Sequence, residues 1–270
     1  MKFLMLILCI TTLCIPTNTS ATQKNTYSTS HRGNITSYTI NEDVVSYTNN
    51  KNDKNFINQI RLKYNGLTDE SVVNTSLNQQ NYIEVLNYLW TEPDMKKRLQ
   101  WLENRVAESH PILMFELGEN YYYQDPTLDT YITKTMPWIL AGYRRTWLDT
   151  VCTSDQSVRA APEFLLASYQ TIILNDLKIR YSQKELEDYV NVHSHDLMKN
   201  ILATLRIVMA PFVKTGNMKL PSPKWVFAHG LRAFTGEKNT IADKEFEKLR
   251  RKEAENFLKQ ADALEQSIKK

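Results

Sequence analysis

The sequence predicts an all-α protein, and three observations carry that expectation. Glycine occurs 7 times and proline 9 times in 270 residues. Sheet-rich folds place glycine at their many turns, so the shortage favours long helices over hairpins. From about residue 68 onward, apolar side chains recur at i, i+3, i+4 and i+7, the signature of one helix face. Prolines at 93, 111, 137 and 162 then divide this periodic stretch into short helices joined by tight turns.

The chain begins with Lys2, then an apolar run from Phe3 to Ile15, a break at Pro16 and the small residues Thr19-Ser20-Ala21. This is the layout of a secretory signal peptide, cleaved after Ala21. The run is too short for the roughly 20 apolar residues that cross a bilayer. Residues 22–66 are crowded with Thr, Ser and Asn and nearly lack leucine, which predicts a polar, disordered leader. One fragment resists that reading, because Ile35 to Tyr47 alternates enough to form a short strand. Asn34-Ile35-Thr36 and Asn74-Thr75-Ser76 match the N-glycosylation pattern.

The helical body is expected over residues 67–236. Tyr82, Val85, Leu86 and Leu89 mark its first clear helix, ended by Pro93. Met95, Leu99, Leu102 and Val106 extend a second towards Ser109. Pro111 opens a third with Leu113, Met114, Leu117 and Tyr121. A fourth lies over Leu128 to Thr135, and Pro137 suits the first turn of a fifth that reaches Val151. Pro162 begins a sixth with Phe164, Leu165, Tyr169, Ile172 and Ile173. Ser182 followed by Glu185 is a capping box for a long seventh running towards Pro211. Pro223 starts a short eighth holding Trp225 and Phe227. Residues 237–270 form the last unit. Thr240 is its expected N-cap, and Asp243, Glu245 and Glu247 place acid at the positive end of the dipole. Phe246, Leu249, Phe257, Leu264 and Ile268 make a broken apolar stripe, which predicts a helix docked on the body rather than a free-standing coil.

Composition narrows the function classes. Net charge is +3, with 42% apolar and 23% charged residues. A nucleic-acid binder needs a concentrated Lys/Arg excess, so none is expected as partner. Cys9 and Cys14 lie in the signal and both follow leucine, which disfavours lipid anchoring. Cys152 is then the one cysteine of the mature chain, so no internal disulfide forms, and a lone cysteine reads as a small buried hydrophobe. No membrane span is expected in the mature chain.

One local pattern has a family likeness. Trp101 is followed by Leu117-Gly118, then Tyr121, with another tryptophan at 138, about one helical-repeat period on. Gly118 lets a paired helix approach closely. At Trp101, Leu117, Gly118, Tyr121 and Trp138 the chain resembles the Sel1-like branch of the tetratricopeptide repeats, with Asp129 and Ala141 loosely compatible. The likeness covers roughly residues 85–150. The family's paired alanines are Arg105 and Val106 here, its Gly-rich loop is Gln124-Asp125-Pro126, and no second Leu-Gly copy follows. The resemblance implies stacked helices that bind another protein.

Chemical motifs are sparse. His193-Ser194-His195-Asp196 puts His193 and Asp196 on one helix face with His195 opposite, and no metal-ligand spacing accompanies them, so neither metal nor cofactor is expected. Cys152 with a distant histidine can be written as a nucleophile and base, as in any chain with one cysteine and five histidines. Neither a Gly-rich phosphate loop nor a Gly-x-Ser-x-Gly elbow occurs. Gly142 to Trp147 sets Arg144 and Arg145 between aromatics. The two diverge by about 100° on a helix and read as surface residues lying over aromatic neighbours. Since Tyr121, Tyr122, Tyr123, Trp138 and Trp147 exceed one inward stripe, Tyr122, Tyr123 and Arg144 are the expected partner surface. The sequence thus predicts an exported, periplasmic or extracellular, protein-interaction module without catalytic residues. The alternative is a secreted enzyme or effector whose active site follows no motif.

Overall fold

A computed structural model describes residues 58, 62, 70–78, 81–106, 109–214 and 220–268. The expected signal peptide, the polar leader and the strand at 35–47 lie outside these residues. Among the described residues all regular structure is helical. No described helix is long and apolar enough to cross a membrane.

The elements follow the predicted order from Tyr82 onward, with two helices the spacing did not mark, one ahead of Tyr82 and one after the 3₁₀ segment at Pro223–His229. α1 (Glu70–Asn78) and α2 (Tyr82–Thr91) come first, then α3 (Met95–Glu103) and α4 (Pro111–Gln124). The starts of α2, α3 and α4 are capped by side chains. Asn81 accepts from the Glu84 N–H, Asp94 from those of Lys96 and Lys97, and His110 Nδ1 from that of Ile112. Such acceptors satisfy backbone donors that have no partner within the helix. α3 stops at Glu103, short of the expected Ser109.

The fourth and fifth predicted helices are fused. α5 (Leu128–Thr130) passes into a π-helical turn, Tyr131–Thr135, and on into α6 (Met136–Thr150). The Met136 N–H reaches back to the Tyr131 carbonyl, five residues earlier. Pro137 therefore interrupts nothing. A proline ring collides with the carbonyl four residues before it in a regular helix, and the widened turn stands where that collision would occur.

α7 (Ala160–Arg180) follows a 3₁₀ turn at Gln156–Arg159 and carries Pro162 in its first turn. α8 (Gln183–Val213) opens on the predicted capping box: Ser182 Oγ accepts from the Glu185 N–H, and the Glu185 carboxylate accepts from the Ser182 N–H. The eighth predicted helix is a 3₁₀ segment, Pro223–His229, ahead of the short α9 (Leu231–Thr235). A 3₁₀ turn at Asp243–Glu245, rather than a cap at Thr240, leads into α10 (Phe246–Ile268).

Specific contacts set the directions of these helices. A Cβ on Gly118 would meet the Thr135 carbonyl at 2.8 Å and Ile139 Cγ1 at 2.9 Å, and one on Gly142 would meet the Phe115 ring at 2.7 Å. Each helix thus seats a large side chain over the other's glycine, and the register makes α4 and α6 antiparallel. Phe115 stacks on Tyr169 at 5.0 Å while Tyr122 bonds Asp176 at 2.5 Å, so α7 runs parallel to α4. Arg206 pairs with Asp262 and Arg251 reaches the Phe212 carbonyl, so α10 runs antiparallel to α8. The last helix is docked on the body, with Phe246, Ala254, Phe257 and Ala261 buried.

α6 lies at the centre of this arrangement, packed by α4, α7, α8 and α10. Of its 15 residues, all but Trp138 are buried. This placement decides the site.

Candidate functional site

Arg144 and Arg145 are 2% and 0% exposed. The expectation that they lie on the surface is corrected, because a helix surrounded on all sides has no outer face. Their divergence of about 100° instead sends them to different neighbours. Arg144 donates to Glu253 of α10 at 2.7 Å and lies over the Phe257 ring at 4.9 Å. Arg145 turns towards α8, with its guanidinium carbon 4.0 Å from the centre of the Phe212 ring.

The rest of the expected partner surface shifts as well. Tyr122 is 1% exposed, because parallel packing of α4 on α7 brings its hydroxyl to Asp176. Tyr123 is half-buried, with its hydroxyl on Glu119. Of the three, none stands free on an outer face.

Around Arg145 a charged cluster is assembled from six parts of the chain. Asp149, one turn further along α6, accepts from Arg145 Nη1 at 3.0 Å and from Arg250 Nη1 at 3.3 Å. Its other oxygen accepts from Trp225 Nε1 at 2.8 Å. Arg250, on α10, also donates to the Pro221 carbonyl at 2.8 Å and lies 5.2 Å from the Phe212 ring. Trp225 stands edge-on to His110 at 4.4 Å, and His110 packs on Tyr82 at 4.2 Å. The residues come from α2, the α4 cap, α6, α8, the 3₁₀ segment and α10.

The charges do not balance within this group. One carboxylate faces two guanidiniums, and Arg145 Nε, Arg145 Nη2 and Arg250 Nε have no hydrogen-bond partner among the described residues. Burial pulls Arg145 down to about 10, Asp149 opposes that, and the like charge of Arg250 adds to it. Burial likewise pushes the Tyr82 hydroxyl above its usual range. A buried charge without full compensation is costly, so its presence is a candidate mark of function.

On the outer side of the cluster lies a small cleft, lined in part by Phe212, Lys214, Leu220, Glu247, Arg250 and Arg251. Arg250 therefore belongs both to the buried group and to the cleft wall.

The other sequence candidates are scattered. Cys152 is fully buried, its sulfur 3.8 Å from the Phe246 carbonyl, and burial pushes its thiol up to about 12. His193 stacks on Tyr189, whose hydroxyl reaches Asp129. That contact lies near the start of the α5–α6 helix, on the order of 35 Å from Cys152 at 1.5 Å per residue. The structure thus separates the thiol from His193. His195 and Asp196 are exposed, and among the described residues no three His, Cys, Asp or Glu side chains gather as a metal site.

Arg145 and Asp149 had a visible signal in the sequence, an i, i+4 pair of opposite charge on one helix. Nothing in the spacing joined Arg250, Trp225 or Phe212 to them. Gly118 does lie where a side chain would collide, as its place in the repeat-like pattern expects. No family model, curated protein or solved structure matches the chain.

Proposed function

We propose that the chain is an exported helical protein-interaction module and that its partner docks on the outer face of α7. Export rests on residues 1–21. The binding role rests on one observation about α7, which carries apolar residues on two faces and buries only one of them. Leu165, Tyr169, Ile173 and Leu177 recur every fourth residue and pack inward. Phe164 and Ile172 are half-buried and Ile179 is 83% exposed, all on another side of the helix. Exposed apolar surface on an ordered helix favours a protein partner. The likeness to Sel1-like repeats points the same way.

The test is site-directed photo-crosslinking in the exporting cell. A crosslinker at position 179 is expected to trap one discrete partner, and one at exposed position 195 on α8 none. Ile172→Asp with Ile179→Asp should abolish that adduct from a crosslinker at 175 while leaving the helical spectrum intact. Equal trapping from 179 and 195 sinks the reading.

A further inference from the structure

We infer that the cleft between the end of α8 and the start of α10 is a binding site for a carboxylate group. This goes beyond the docking reading of α7 and does not depend on it. Three cations, Lys214, Arg250 and Arg251, face one carboxylate, Glu247, around the cleft. Arg250 is 4% exposed, and its Nε has no partner. Its Nη1 is already engaged by Asp149 and the Pro221 carbonyl. Asp149 carries a single negative charge that it shares between Arg145 and Arg250, so this pair of guanidiniums is left with one positive charge in excess. An anion in the cleft supplies the charge that the interior lacks.

The cleft is small, with a volume of about 30 Å³, and the chemistry of its walls selects the anion. Phe212 and Leu220 give the cleft apolar sides, which fit the carbon next to a carboxylate. Guanidiniums present planar donors that match carboxylate geometry.

The experiment follows the melting temperature of residues 22–270 at pH 7.5 and constant ionic strength, with acetate replacing chloride up to 100 mM. A ligand that binds only the folded state raises the melting temperature with the logarithm of its concentration once that exceeds Kd, here by about 2–4 °C at 100 mM. Lys214→Gln with Arg251→Gln changes two exposed side chains, and an unchanged far-ultraviolet circular dichroism spectrum checks that loss of the Arg251 bond to the Phe212 carbonyl leaves the fold intact. That variant should need at least about tenfold more acetate for the same rise. A pair of peptides identical except for a free or amidated C-terminus distinguishes the source. A chain end is the natural ligand if only the free form binds, and more tightly than acetate. A free acid is the ligand if acetate binds and neither peptide improves on it. The inference is overturned if acetate gives no rise beyond chloride, if the double variant responds like the parent, or if inorganic phosphate stabilises more strongly than acetate.

Discussion

α6 and α7 are neighbours of opposite character. α6 carries Arg144, Arg145, Thr146, Asp149 and Thr150 and buries every one of them. α7 is richer in aliphatic residues and buries one narrow stripe. Composition alone would have placed them the other way round. What separates them is the number of helices packed against each. α6 is flanked by four long helices, so its polar groups must find partners inside, whereas α7 lies at the edge and leaves apolar atoms facing water. Thr146 and Thr150 solve the problem locally by bonding the carbonyls of Gly142 and Trp147. Arg145 and Asp149 solve it only in part.

The comparison breaks most visibly at Asp149. Asp149→Ala leaves Arg145 and Arg250 buried without their shared carboxylate and should cost about 3–5 kcal/mol in urea unfolding. Arg145→Met, which removes the poorly satisfied partner, should cost much less and can be neutral. Equal losses for the two changes would show that the cluster is balanced after all.

Next in size is the crossing of α4 with α6. At Gly118 a methyl group meets backbone atoms of the facing helix. Gly118→Ala should therefore destabilise by about 1–3 kcal/mol, and Gly118→Leu by at least as much. An unchanged melting temperature would place the contact elsewhere. On α7, by contrast, Ile179→Ser should stay within about 0.5 kcal/mol, since the residue is exposed.

Chemical access sharpens the contrast further. Cys152 stands just beyond α6 with its thiol pushed up to about 12 by burial. Its alkylation by iodoacetamide at pH 8 should be slow and should follow global unfolding. Rapid labelling of the folded protein would show that this end of the helix opens. The smallest effect belongs to the edge. Asp176 accepts from Arg180 and from the Tyr122 hydroxyl, and these bonds hold its carboxyl below the usual range. Because the folded value is the lower one, its stabilisation is present above pH about 3.8 and is lost as pH falls through that lowered value. Asp176→Asn should flatten this acid limb slightly in a pH series of thermal melts.

Much of the helical order was legible locally. The capping box at Ser182 and Glu185, the helix starts at Pro111 and Pro162 and the apolar spacing from Tyr82 onward act within a turn or two, and each appears where the spacing places it. The fusion of α5 and α6 was not legible. A proline in a helical pattern reads as a start, and only the π turn at Tyr131–Thr135 shows that the helix passes through it. The charged cluster left one local signal, the i, i+4 spacing of Arg145 and Asp149, which the reading of Arg145 as a surface residue passed over. Arg250 lies a hundred residues further on, and no local signal links it to them.

By itself, then, the sequence determined helix identity and most helix starts, because these depend on interactions between residues a few positions apart. Only the tertiary structure decided which helix is enclosed, that Tyr122 and Arg144 face inward, and that Arg145 shares Asp149 with Arg250. The physical reason is that burial belongs to the packing of four helices around a fifth, and a side chain's surroundings there come from distant parts of the chain.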